Sequence, residues 1–293
     1  MRDLRGANAI LTGGSRGIGP YIARALAREG VHIALAARGQ ERLEAVREEV
    51  EELGVRALTV SADIRLPEDR ARLVDRVSAE LGPIDLLINN AGVESTSEFV
   101  RLDPLTIESA IATNLTAAVL LMRMVLPGMV ERRRGHVVNI ASVAGKVPLP
   151  YDAVYSATKF GLVGLSHAVR EELRGSGVGV SVVCPGFVAN AGMFADIVAE
   201  TGVRVPAIAG MSPPEQVAAT VLRVIRYDVA EAVVTPLSGR PLLAVSYLSP
   251  TAGMAMMRQT GVVDTFRQIA QRRAAAGGDQ RSTARGPEAP LSP

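Results

Sequence analysis

Short apolar runs alternate with longer segments whose apolar residues recur at helical spacing, from residue 7 to near the end of the 293-residue chain. Strands are predicted at 7–11, 31–36, 57–61, 84–89, 136–141, 179–183 and 232–235. Between them, helices are predicted at 18–28, 41–53, 67–81, 104–130, 152–173 and 214–227, with Pro67 suited to a first helical turn and Gly30 and Gly54 to helix ends. Strands that are apolar on both faces and separated by helices call for a parallel sheet covered on both sides. The expected fold is therefore α/β, a single Rossmann-like doubly wound parallel sheet with helices on both faces. It is assigned to residues 1–273, with 240–273 as an apolar C-terminal extension. The pattern stops at 274–293, which is rich in Ala, Gly, Arg, Ser and Pro and reads as a disordered tail.

Composition mainly removes alternatives. The formal net charge is +2, and the densest basic run, Arg132-Arg133-Arg134, follows an apolar helical stretch and reads as a solvated helix end, so no nucleic-acid partner is expected. One cysteine, Cys184, cannot form an intramolecular disulfide; it suits a reducing, cytoplasmic setting and reads as a small core residue. His32, His136 and His167 have no metal-ligand spacing, so no metal is expected. The glycine-rich segment begins at Gly13, close to the first residue, so no signal peptide is expected. No apolar run reaches the roughly 18 residues of a membrane span; 117–126 is short and broken by Arg123, and reads as a buried helix.

Candidate chemistry begins with Thr12-Gly13-Gly14-Ser15-Arg16-Gly17-Ile18-Gly19, between the first strand and the first helix. Glycines there let the chain turn tightly and bring backbone N–H groups to a pyrophosphate at a helix N-terminus. No Gly-Lys-Ser/Thr follows, which excludes a P-loop. The second strand ends in Ala36-Ala37-Arg38, with no acid to bond a ribose 2′-hydroxyl. Arg38 and Arg16 would instead pair with a 2′-phosphate, so NADP(H) is preferred over NAD(H).

A second signal is Tyr155-Ser156-Ala157-Thr158-Lys159, which holds one of only two lysines in an arginine-dominated chain, the other being Lys146. Four residues apart on a helix, the ammonium reaches the phenol and is expected to lower its pKa, making it a usable proton donor and acceptor. A compact ammonium can do this where a flat guanidinium cannot.

The loop spacing together with Tyr155-x-x-x-Lys159 resembles the classical short-chain dehydrogenase/reductase family. Asp63 after the third strand, Asn89-Asn90-Ala91-Gly92 at the end of the fourth, Asn114 in the next helix, Ser142 after the fifth strand and Pro185-Gly186 after the sixth extend the resemblance in order over residues 7–190. The resemblance implies an oxidoreductase that interconverts a ketone or aldehyde and an alcohol by hydride transfer. In that reading Tyr155 is the general acid/base, Lys159 lowers its pKa and holds the nicotinamide ribose, Ser142 bonds the substrate oxygen, and Asn114 holds a relay water. The implied cofactor contacts are Gly13, Ser15, Arg16, Gly17, Ile18, Gly19, Arg38, Asp63, Ile64, Asn90, Ala91, Gly92, Tyr155, Lys159, Pro185, Gly186 and Val188. Asn190 stands where the family pattern has a threonine near the nicotinamide, and Tyr151 reads as a wall of the substrate pocket. A nucleotide sensor on the same fold, without turnover, is the alternative.

Substrate choice is expected to lie in 187–211 and in the extension, where 240–261 carries Leu242, Leu243, Val245, Tyr247, Leu248, Met254, Met256 and Met257. A lid over a bulky hydrophobic substrate, a patch touching membrane or a second subunit, and extra core packing are the three readings. A small-molecule carbonyl or alcohol partner and a homodimer or homotetramer are expected. The extension replaces the short strand and Asp-Gly-Gly turn that help build tetramers in many members of the family.

Overall fold

Seven apolar segments pair in parallel as one sheet, in the order β3-β2-β1-β4-β5-β6-β7. They are β1 (Asn8–Thr12), β2 (His32–Ala37), β3 (Ala57–Ser61), β4 (Leu86–Asn89), β5 (Gly135–Ile140), β6 (Val178–Pro185) and β7 (Glu231–Val234). The computed structural model describes residues 3–207, 209–236, 238 and 240–276. Every residue of the central strands β1, β4 and β5 is buried, because helices cover both faces there, while the edge strands β3 and β7 are only partly buried.

Helices α1 (Gly19–Arg28), α2 (Gln40–Glu51) and α8 (Pro214–Tyr227) supply Ile22, Leu26, Leu43, Val217 and Val221 to the core on one face of the sheet. On the other face α3 (Pro67–Glu80) and α5 (Ala117–Glu131) supply Leu73, Val77, Leu121, Val125 and Met129. The helix α6 (Ala153–Glu172) adds Leu162 and Val163 to a cluster with Val182 and Cys184. The expected doubly wound architecture is present, and the strand order reverses direction between β1 and β4. Loops leaving the C-terminal ends of strands at such a switch point frame a crevice.

Four departures from the sequence reading matter. The helix expected over 104–130 is α4 (Pro104–Ile111) and α5 joined by a π-helical turn, Ala112–Thr116, that contains Asn114. Long, apolar segment Pro104–Glu131 has the length and composition of a membrane span, yet Ala117, Leu121, Met122, Val125 and Met129 pack on the sheet. A helix α7 (Met193–Thr201) follows β6, and the extension forms α9 (Arg240–Leu248), α10 (Pro250–Gln259) and α11 (Val262–Ala275). The last helix runs to Ala275, past the predicted start of the tail, the rest of which lies outside the described residues.

The extension builds a core of its own. Met257, Val262, Val263, Phe266 and Ile269 are buried against Val147, Ile197 and Val203, with Leu149, Phe187, Phe194, Leu243 and Met254 packed around them. Of the three readings, packing holds for Met257 and Leu243; the side chains of Leu242 and Tyr247 lie outside the described set.

Candidate active site

The loop from Thr12 to Gly19 turns back under the end of β4. Gly13 has φ +67°, and a Cβ on it would stand 2.9 Å from Ala91 Cα. A Cβ on Gly19 would overlap the carbonyl oxygen of Gly13. Any side chain at either place would push the loop off the crevice floor. Thr12 Oγ1 accepts from the N–H groups of Asn90 (3.0 Å) and Ala91 (3.1 Å), and Asn90 Nδ2 donates to the carbonyls of Thr12 and Gly13 at 3.0 Å each. These bonds tie the two loops at the switch point into one surface.

A cavity opens above it. Gly13, Arg16, Gly17, Ile18 and Asn90–Gly92 line one end; Ser142, Tyr155, Lys159, Pro185, Gly186 and Val188 line the middle. Leu149, Phe187, Phe194, Ile197 and Phe266 form an apolar far wall, with the carboxylates of Glu94 and Asp152 among them. Phe187 meets Phe194 edge-on at 4.7 Å between centroids and Phe266 at 6.2 Å, so α11 closes the wall begun by β6 and α7.

Helix α6 delivers both residues of the Tyr-Lys pair to this cavity, buried. Ser142 lines the same part of the cavity as Tyr155. Ser142 Oγ accepts from Ala144 N–H (3.1 Å) and donates to the Pro185 carbonyl (3.4 Å), which fixes it at the end of β5. Lys159 Nζ donates to the Ile140 carbonyl (2.8 Å) and stands 5.5 Å from the Tyr155 ring centroid. Burial lowers the Lys159 ammonium to about 8. Here one expectation is corrected: burial first, and then the Asp152 carboxylate, push the Tyr155 phenol up, with the nearby Ser142 hydroxyl opposing them. Lys159 is not among the causes. Desolvation of a phenolate outweighs a cation whose ammonium is turned to a carbonyl.

Asn114 is buried in the π-turn. Its Oδ1 accepts from Val93 N–H and its Nδ2 donates to the Val93 carbonyl, both at 2.8 Å. The wide turn lets a mid-helix side chain reach a neighbouring loop instead of its own backbone. The loop so held passes Lys159: a Cβ on Gly92 would lie 3.3 Å from Asn114 Oδ1 and 3.6 Å from Lys159 Nζ.

Ser15, Gly19, Arg38, Asp63 and Ile64 do not line this cavity. Arg38 is exposed just past β2, and Ser61 Oγ donates to its carbonyl at 3.0 Å. Asp63 follows β3 and is paired with Arg65; Arg65, with Arg38 behind it, holds its carboxyl below the usual range against the opposing effect of burial. The Ile64 side chain is buried in the core rather than offered to the crevice. Asn190, at φ +56°, is exposed and outside the cavity. Tyr151 is not a wall of this cavity either: it borders a separate groove beside Phe99 and Met254, and its hydroxyl accepts from Arg267 Nε at 3.0 Å.

Glu94, Asp152 and Phe266 were not anticipated. Glu94 follows the Asn-Asn-Ala-Gly segment at the strand end, where loops carry chemistry in such sheets. Asp152 has the residue type and position of a helix N-cap, which conceals it; its side chain makes no capping bond. Phe266 carries no local signal.

Comparison with known proteins agrees with this geometry. The model of the short chain dehydrogenase family matches residues 7–202. Ketoacyl reductase HetN of Nostoc sp. is 41% identical over 282 residues, covering 94% of this chain and 97% of that protein. The crystal structure of an actinorhodin polyketide ketoreductase variant with NADPH superposes with a TM-score of 0.75 at 33% identity, over 80% of this chain and 97% of the other. A metagenomic short-chain oxidoreductase in complex with NADP gives 0.66 at 34% identity, over 79% and 96%. The chain is an oxidoreductase of the short-chain dehydrogenase/reductase family.

Proposed function

We propose that this enzyme reduces a ketone to a secondary alcohol with NADP(H), and that its substrates belong to the ketoacyl class named for its relatives. The observation that carries the reading is the convergence of Tyr155, Ser142 and Lys159 on one cavity whose floor is the glycine loop.

The residues present fit a dinucleotide. Side-chain-free positions at Gly13 and Gly19 leave the backbone of the loop open to a pyrophosphate, with Arg16 at the cavity rim and the exposed Arg38 beyond β2 as partners for phosphates. Gly92, Tyr155, Lys159, Pro185, Gly186 and Val188 would hold the nicotinamide end. When bound, the nicotinamide supplies the hydride.

The chain's own residues do the rest. Tyr155 Oη gives its proton to the carbonyl oxygen, and Ser142 Oγ hydrogen-bonds the same oxygen as charge develops there. Burial keeps the phenol protonated, the form that reduction consumes. Lys159 replenishes the proton, and Asn114 keeps the 92–93 loop beside it and carries the relay water. The apolar wall from Leu149 to Phe266 receives the remainder of the substrate. On the outside, Leu105, Ile111, Leu120 and Met124 of α4–α5 are exposed apolar residues, and a second copy of the chain covers them in the homo-oligomer we propose.

Replacing Tyr155 with Phe tests the chemistry. Turnover of NADPH with ketones should fall by roughly 10²–10⁴-fold, while NADPH binding, followed by fluorescence, persists. Retained turnover at neutral pH sinks the reading.

A further inference from the structure

Two acids face the apolar end of the cavity, and they differ in how they are satisfied. Glu94 is fully engaged: Oε1 pairs with Arg273 Nη1 at 2.7 Å, and Oε2 accepts from Thr96 N–H at 2.7 Å. Asp152 is 4% exposed, and a single oxygen, Oδ1, takes both bonds from Ser95, from N–H and Oγ at 3.2 Å each. Among the described residues Oδ2 has no hydrogen-bond partner. Nor does the carboxyl cap α6, although Asp152 is its N-cap residue.

Asp152 lines the ligand cavity with one carboxyl oxygen anchored by Ser95 and the other left without a protein partner, so a polar ligand atom there would gain a hydrogen bond. Asp152 lies three residues before Tyr155, about one helical turn, and both line the cavity. A ligand whose reacting oxygen is at Tyr155 therefore shares the cavity with the Asp152 carboxyl.

We infer that Asp152 is a specificity-determining residue: its carboxylic acid donates a hydrogen bond from Oδ2 to a second carbonyl oxygen of the substrate, two carbons from the carbonyl that Tyr155 protonates. This rests on the ketone-reducing reading above and deepens it. The surroundings favour the acid over its anion. Burial and the neighbouring Glu94 raise the Asp152 carboxyl to about 7, against smaller opposing effects of Ser95 and Arg273. The charged and titratable groups facing it are Glu94 from the loop after β4, Arg273 from α11, and Tyr155 from α6. Only Arg273 among these is a cation, and it is spent on Glu94 and Glu200.

The test is calorimetric and independent of turnover. Dissociation constants are measured with NADP⁺ present for an acetoacetate ester and for the same skeleton with a methylene in place of the ester carbonyl. The wild-type chain at pH 6 should favour the keto ester by about tenfold, the effect of one hydrogen bond. That ratio should decline towards one as pH rises past about 7. Asp152→Asn, which keeps an N–H donor, should hold the ratio at every pH, and Asp152→Leu should bring it to one throughout. An unchanged ratio in Asp152→Leu, a wild-type ratio that grows with pH, or binding of neither compound overturns the inference. Turnover of the methylene analogue by the wild-type enzyme tests the ketone-reducing reading separately, since that compound lacks the second oxygen.

Discussion

Arg273 on α11 and Glu94 in the loop after β4 are joined Nη1 to Oε1 at 2.7 Å, with side chains only 16 and 19% exposed. The same guanidinium bonds Glu200 of α7 at 2.7 Å, so one side chain near the C-terminus fastens three segments around the cavity. Removing it leaves two carboxylates near each other, one of them poorly hydrated. Arg273→Gln should cost about 2–4 kcal/mol of stability in denaturant unfolding, somewhat less than breaking a fully buried pair because the side chains keep some exposure. It should also raise KM more than it lowers kcat. Arg273→Lys should recover part of this at most, because a single ammonium does not reproduce the fork that reaches both acids.

Gly13→Ala tests the cradle. The left-handed backbone alone costs an ordinary residue about 1–2 kcal/mol, and the new methyl would meet the Ala91 backbone at 2.9 Å. Titration with NADPH should show at least tenfold weaker binding. Gly54→Ala is the control: φ is +84° there too, but nothing lies within 4 Å of a Cβ. It should lose stability and keep NADPH affinity.

Charge reversal at Arg38 addresses the choice of dinucleotide. Arg38→Asp should lower kcat/KM for NADPH relative to NADH by roughly 10–100-fold, as expected when a charge-assisted phosphate bond becomes a repulsion. An unaltered ratio would remove Arg38 from the cofactor site.

Acid sensitivity should trace in part to His136. It is buried, and its Nε2 meets Ser181 Oγ at 2.8 Å while that hydroxyl donates to the Val229 carbonyl at 2.6 Å, so Nε2 carries the proton of a neutral ring. Burial lowers its pKa to about 3, against 6.5 for the free side chain. Between those values the unfolded chain binds a proton that the folded chain does not, so stability falls as pH falls from about 6.5. At pH 5 this single group removes about 2 kcal/mol relative to pH 7.5. Asp152 acts with the opposite sign: its raised folded pKa destabilises the fold as pH rises from about 4 to about 7. Unfolding free energies of wild-type and His136→Gln at the two pH values should differ by the His136 contribution, with the variant the less acid-sensitive.

Much was readable from local pattern. Short apolar runs located the seven strands and period-3.6 hydrophobicity most sheet-covering helices, because burial on both faces makes most strand residues apolar. The Gly13–Gly19 loop and the Tyr155–Lys159 spacing were legible because turn geometry and helical pitch act over a few residues. Asn114 was placed on a helix, but the π-turn that points it at Val93 depends on a loop 21 residues away in sequence.

The chain alone determined a parallel α/β sheet, a glycine-lined crevice at the end of β1 and a phenol–ammonium pair on one helix, each set by short-range periodicity and backbone sterics. Tertiary structure decided the environment of that pair. Burial of Tyr155 and the approach of Asp152 raise the phenol where proximity to Lys159 had predicted the reverse, since desolvation depends on everything packed around a group. It also decided that α11, more than a hundred residues beyond Tyr155, supplies Phe266 to the cavity and Arg273 to its acidic wall. No periodicity within α11 states which face another element will cover, so those contacts exist only once the chain has folded.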